Sequence, residues 1–325
     1  MTDATYKRPI NEENYAEIMQ SVVEPFVKKY RKEGFLKFND GRQLHYEYYI
    51  KDNAKANIVI AHGYTEMLLK YREMIYYFLN EGYNVFAVEH MGHGLSSRLT
   101  DNPNLAHIES FDMYVNDFAS FVNNLVKPKS NGLPLYLYAH SMGGAISVLH
   151  LQRYPGVFEK AVLSAPMLAP KTAGFPHFAT KLMTRAFILM GKGGEMVFTE
   201  HEFNPDRTYL QSGDTSEARF NYVHAKRKLR QEYRTCATTY RWLNEALRII
   251  KIMLKPESCK KITAKVLLFQ AENDTLVEPL HQEKFISMVN NGEIVKTSGT
   301  KHELYLSINE TLEPYLDRIF DFLSE

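Results

Sequence analysis

The chain has 325 residues, 45% of them hydrophobic and 24% charged, enough to bury a large core as two domains or as one α/β domain with an insertion. Lys and Arg total 39 against 38 Asp and Glu, and a net charge of +1 leaves no global field to favour nucleic acid. Cys236 and Cys259 are the only cysteines, which excludes a disulfide framework and points to a reducing compartment. Met1–Gln20 carries Asp3, Glu12, Glu13 and Glu17 and lacks the apolar centre of a secretory signal. No apolar run approaches the ~20 residues that span a bilayer. The expectation is a cytoplasmic protein.

In chain order, Tyr15, Ile18, Val22, Phe26 and Tyr30 recur near helical spacing and predict an amphipathic helix over 11–33. A hairpin follows, its strands meeting at Asn39-Asp40-Gly41. Strands and helices then alternate. Strands are predicted at 57–61, 84–89, 133–139 and 160–164, with helices near 67–80 and 111–126 and one after Ser141. The pattern lapses from Pro170 to about Lys260, where a largely helical, strandless stretch reads as a cap over the strand ends. It resumes with strands at 265–270 and 293–296 and a helix near 308–324. The fold class is α/β, a mainly parallel sheet with helices on both faces. The organisation is a core of 1–169 and 261–325, including an N-terminal helical extension at 1–33, with a helical cap insertion at 170–260.

The segment Leu135-Tyr136-Leu137-Tyr138-Ala139-His140-Ser141-Met142-Gly143-Gly144 carries the chemistry. A buried strand that turns into a helix at a serine is the nucleophile elbow of α/β-hydrolases. The strained turn lifts the hydroxyl above the sheet edge, and small residues let the backbones pass closely. Ala139 stands where the usual pattern has its first glycine, and a methyl group is small enough to keep the turn.

A serine hydroxyl needs a base, and the base needs a group to hold its tautomer. Asp274 follows the strand Val266–Gln270, and His302 lies beyond the strand near 293–296. The order Ser141, Asp274, His302 is that of the α/β-hydrolases. Glu272 is the rival acid. Two backbone donors should bind the oxyanion: the amide of Met142, next to the nucleophile, and that of Tyr64, in the glycine-bearing loop after the first parallel strand.

His62, Gly63, Trp242, Phe178 and Phe187 are the candidate substrate contacts, though His62 also reads as a packing residue. His90 and His93 lack the spacing of a metal site, so no metal or cofactor is expected. The cap offers Phe175, Phe178, Leu182, Met183, Phe187, Ile188, Leu189 and Met190 near Lys181 and Arg185, a pattern suited to an acyl chain and to resting on a membrane surface. Lys226, Arg227, Lys228 and Arg230 form a basic run, read as a solvated face or a contact for a lipid phosphate. Nothing in the sequence sets the oligomeric state.

These motifs resemble the lysophospholipase and monoacylglycerol lipase branch of the α/β-hydrolases, with bacterial lysophospholipases the most similar subgroup. His62-Gly63-Tyr64-Thr65-Glu66 is similar to the family's oxyanion loop, and His90-Met91-Gly92-His93-Gly94-Leu95-Ser96 to its next loop. Leu151–Phe158, Thr239–Leu243 and the helix bearing Asp112, Tyr114 and Asp117 also fit. The resemblance implies a serine hydrolase cleaving a single-chain acyl lipid, a lysophospholipid or a monoacylglycerol. An esterase, thioesterase, amidase or peptidase acting on a small soluble acyl substrate is the alternative. A catalytically inactive binding protein on the same fold is the remote one.

Overall fold

The computed structural model describes residues 8–325; the part of the N-terminal reading that falls on residues 1–7 lies outside them. Among the described residues ten strands form: β1 Arg31–Lys37, β2 Gln43–Tyr49, β3 Ala56–Ala61, β4 Tyr83–Val88, β5 Leu105–Ala106, β6 Leu135–His140, β7 Lys160–Ser164, β8 Ala237–Thr238, β9 Lys265–Ala271 and β10 Gly292–Thr297. Eight of them make one sheet in the order β1-β2-β4-β3-β6-β7-β9-β10. Only β2 runs against its neighbours, since β1–β2 and β2–β4 are antiparallel and every other pair is parallel.

Side chains alternate between two buried faces, as strand geometry requires. Val59, Ala61, Leu137 and Ala139 enter one core, beside the helices Phe111–Phe121 and Met142–Arg153. Ile58, Ile60 and Tyr138 enter the other, beside Arg72–Asn80 and Asn309–Ser324. Both faces are covered at β3, β4, β6, β7 and β9, so these strands are buried along nearly their whole length and mostly apolar.

Two expectations change. The predicted helix over 11–33 ends at Tyr30, and Arg31 already pairs with Tyr49. The Asn39-Asp40-Gly41 turn, with Gly41 at φ +86°, sets a hairpin register that extends back to Arg31 and overrides the helical periodicity there. The stretch expected to lack strands contains β8, which pairs with β5 in a separate two-stranded sheet. In that same stretch the helix Tyr240–Met253 sends Trp242, Ala246, Ile249 and Met253 into the core that also holds the Met142–Arg153 helix. The helix His177–Leu189 packs on it, with Phe187 stacked on Tyr240 at 4.0 Å.

The parallel strands β3, β6, β9 and β10 all point the same way. Their carboxyl ends deliver residues 62–66, 141, 274 and 302 to one edge of the sheet, where open α/β sheets place their ligands.

Candidate active site

Ser141 sits between β6 and its helix at φ +49°, ψ −116°, a conformation that costs a non-glycine residue energy. The two following glycines allow it. A Cβ on Gly143 would lie 2.1 Å from the Ala61 carbonyl oxygen, and one on Gly144 would lie 2.5 Å from Pro166. The helix therefore starts in direct contact with the end of β3. Met142 is the first helical residue, so its N–H has no intrahelical acceptor.

His302 Nε2 lies 2.8 Å from Ser141 Oγ, and His302 Nδ1 lies 2.7 Å from Asp274 Oδ2. All three residues are buried. An ionised carboxylate only accepts, so Nδ1 carries the proton and Nε2 is free to accept the serine hydroxyl. Burial pushes Asp274 up, but the His302 bond and the Leu276 and Val277 amides, at 2.8 and 3.1 Å from Oδ1, outweigh it and hold the carboxyl below its usual range. Glu272, the rival acid in the sequence, is exposed and accepts the Gly299 amide instead.

The neighbouring histidine carries no charge. Burial lowers His140 to about 4, and its Nδ1 donates to the Ser164 carbonyl at 3.1 Å. A neutral ring therefore stands 4.9 Å from that of His302.

The loop after β3 is held from beneath by Glu66, a residue to which the sequence reading gave no role. Its Oε2 accepts the Gly63 N–H at 2.5 Å and the Tyr71 hydroxyl at 2.6 Å. Its Oε1 accepts the Tyr305 hydroxyl and, at 2.9 Å, the Lys70 ammonium. Burial alone would raise Glu66, but Lys70 and these donors hold it well below its usual range. Lys70 also pairs with Glu303, beside His302. One buried carboxylate thus ties the Tyr64 loop to the His302 loop. The Tyr64 N–H itself has no acceptor among the described residues.

The five expected substrate contacts differ in their surroundings. His62 is buried with both nitrogens committed, Nδ1 to the Gly63 carbonyl at 2.7 Å and Nε2 to the His90 amide at 2.8 Å, so it shapes the loop. Gly63 offers its amide to Glu66, and a Cβ there would meet His140 at 2.9 Å. Trp242 is buried, its ring 4.8 Å from that of Tyr64 and its Nε1 donating to Tyr114 at 3.2 Å. Phe187 is taken up by Tyr240, and Phe178 points to solvent at 77% exposure. Helical phase decides this: Ala179, Thr180 and Met183 face inward, and Phe178 and Leu182 face out.

A cavity of about 690 Å³ lies between the helix His177–Leu189 and the Asp274 loop. Phe175, Met183, Val197, Phe198, Leu243 and Leu276 give it apolar walls, and Glu200 is its one carboxyl. Burial lifts Glu200 to about 7. Ser141 does not line this cavity; Thr275 and Leu276, which follow Asp274 in the chain, are among its lining residues.

Among the described residues, Glu33, His45 and Glu47 have potential ligand atoms within 4.8 Å of one another. Arg72 already grips Glu47, with Nη2 at 2.7 Å from Oε1, so this trio is an ion-pair network.

The family model described as serine aminopeptidase, S33, matches residues 52–309. The chain belongs to this family. It is an α/β-hydrolase enzyme of the lysophospholipase and monoacylglycerol lipase type. Lysophospholipase L2 of Escherichia coli K12 is 28% identical over 286 residues, covering 82% of this chain and 80% of that one. Human monoglyceride lipase is 33% identical over 132 residues, 40% of this chain and 41% of that one. Among solved structures, a soluble variant of Saccharomyces cerevisiae monoglyceride lipase has the same fold, with TM-score 0.71 at 16% identity over 100% of this chain and 98% of that one. No helix among the hydrolase's described residues is long and apolar enough to cross a membrane.

Proposed function

We propose that this hydrolase cleaves the ester of a single-chain acyl lipid, a lysophospholipid or a monoacylglycerol, through an acyl-enzyme. The observation that carries the reading is the unbroken series Asp274–His302–Ser141 at 2.7 and 2.8 Å. Ser141 Oγ attacks the ester carbonyl while His302 Nε2 takes its proton, and Asp274 holds the imidazolium that forms. The Met142 and Tyr64 amides receive the oxyanion, each worth about 3 kcal/mol of barrier in such sites. His302 then protonates the departing alcohol, and water repeats the sequence to release the fatty acid.

The cavity beside Asp274 supports a chain-bearing acyl group, since Phe175, Met183, Val197, Phe198, Leu243 and Leu276 offer a hydrocarbon apolar walls. Its rim is apolar as well. Phe175 and Phe198 are more than half exposed, and Phe178, Leu182 and Leu189 share one face of the cap helix. An exposed apolar face of this kind supports peripheral contact of the cap with a membrane.

The test is turnover of purified protein on a lysophospholipid, a monoacylglycerol, short p-nitrophenyl esters and a peptide amide, with Ser141→Ala as control. The variant should lose about 10³-fold or more without unfolding. Retained esterase activity in it defeats the mechanism. A preference for short soluble esters removes the lipid part and leaves the chemistry standing.

A further inference from the structure

One carboxyl, that of Glu200, lines the cavity of about 690 Å³ beside the Asp274 loop. A tight turn sets it there. The Glu200 N–H donates to the Val197 carbonyl at 2.9 Å, and the Val197 N–H donates to the Thr238 carbonyl at 3.0 Å. The side chain is partly buried, and among the described residues it makes no hydrogen bond and no ion pair. Its oxygens are not sealed by protein; they stay open to the cavity.

Three other polar side chains of the lining are already engaged. Lys171 Nζ donates to the Asp274 carbonyl at 2.6 Å, and the Thr172 and Thr180 hydroxyls donate to the Phe175 and Pro176 carbonyls. Met183, Val197, Phe198 and Leu243 supply apolar wall. A plain hydrocarbon chain laid here covers the Glu200 carboxyl without bonding it, which costs free energy. A hydroxyl on the chain removes that cost in either protonation state. The carboxylate accepts the hydroxyl proton, and the carboxylic acid both accepts and donates. Burial lifts Glu200 to about 7, so both forms occur near neutrality. An ammonium group bonds only the carboxylate, and one carboxylate does not repay the desolvation of an ammonium ion.

We propose that this cavity selects an acyl chain that carries a hydroxyl group, with Glu200 as the specificity-determining residue that bonds the hydroxyl. The inference rests on reading the cavity as the acyl site and deepens that reading, because it names a class of chain that Ser141, His302 and Asp274 leave open. Glu200 bonds to none of those three side chains, so its effect falls on which chain is held.

The experiment measures kcat/KM on p-nitrophenyl dodecanoate and on derivatives that each carry one hydroxyl between the middle and the end of the chain. Wild type is compared with Glu200→Leu and Glu200→Met. Wild type should favour at least one hydroxylated ester over the plain one by about tenfold. Both variants should lose that preference, the plain ester gaining and the hydroxylated ester losing. Replacing an unpaired carboxyl by an apolar group of similar size is near neutral for folding, and the methionine variant carries the test if the leucine variant fails to fold. A wild type that takes the plain ester as well as every hydroxylated one overturns the proposal. A preference that survives in both variants overturns it as well. Failure of the underlying reading looks different: wild type then cleaves p-nitrophenyl butyrate but none of the dodecanoates, and the acyl site falls together with the proposal.

Discussion

Glu66 Oε2 accepts the Gly63 N–H at 2.5 Å, and this bond fixes the peptide that precedes the Tyr64 amide. Without it the loop after β3 is free to turn that amide away from the oxyanion position. Glu66→Gln keeps the volume but removes the charge that Lys70 and three further donors share. A donor lost from an oxyanion site costs about 10²–10³ in kcat, and a donor merely displaced costs less. We expect kcat to fall by about tenfold or more with KM little changed, in protein that keeps its circular dichroism. A rise in KM alone, at constant kcat, contradicts this positioning role.

Ser141 holds φ +49° and ψ −116°, where only glycine is unstrained. Both Ser141→Gly and Ser141→Ala remove the hydroxyl and its bond to His302, so the difference between them reports backbone strain. Relief of about 1–3 kcal/mol is offset in part by the extra chain entropy of glycine, about 0.5–1 kcal/mol. The glycine variant should therefore melt at higher temperature than the alanine variant, with neither active. Equal melting temperatures refute the strain.

The residues of the series were readable because each follows a segment that reads as a strand, inner and mostly apolar before Ser141 and Asp274, and at the sheet edge before His302. Ala139 precedes Ser141, Ala271 precedes Asp274, and Thr297 closes the strand before His302. Glu66 was not readable. A loop carboxylate looks the same whether solvated or buried, and its burial depends on Tyr305, 239 residues away. The cap was legible as apolar but not in phase, and Phe175 and Met183 reach the cavity where Phe178 and Phe187 do not. Arg31–Glu33 read as helix because a three-residue extension of a hairpin leaves no periodic signal of its own.

Arg219, on the cap helix Glu217–Lys228, is fully buried and chelates Glu73 through Nε at 3.0 Å and Nη2 at 2.8 Å. It also donates to the Ser307 carbonyl at 3.0 Å, so one guanidinium joins the cap, the Arg72–Asn80 helix and the segment after His302. Arg219→Met leaves Glu73 buried and unpaired, which costs about 3–5 kcal/mol. Adding Glu73→Gln removes the stranded charge and should restore part of the loss in denaturant unfolding. A double variant as unstable as the sum of the singles rules out direct coupling between the two residues.

Buried neutral histidines set the acid limb of stability. Burial lowers His93 to about 3 and His140 and His150 to about 4, and drives His90 well below its usual value. In the unfolded chain each titrates near 6.5. Between pH 6.5 and about 4 the unfolded state therefore binds more protons than the folded state. Stability is full above pH 6.5 and falls as the pH drops through that window, by up to about 1.4 kcal/mol per pH unit for each histidine. His150 is the cleanest probe, because Phe118, Tyr154 and Phe158 surround its ring and its Nδ1 has no partner. His150→Leu should flatten the fall in unfolding free energy between pH 6.5 and 4.5 by one histidine's share. A slope unchanged by the substitution means that the ring already carries its proton in the folded state.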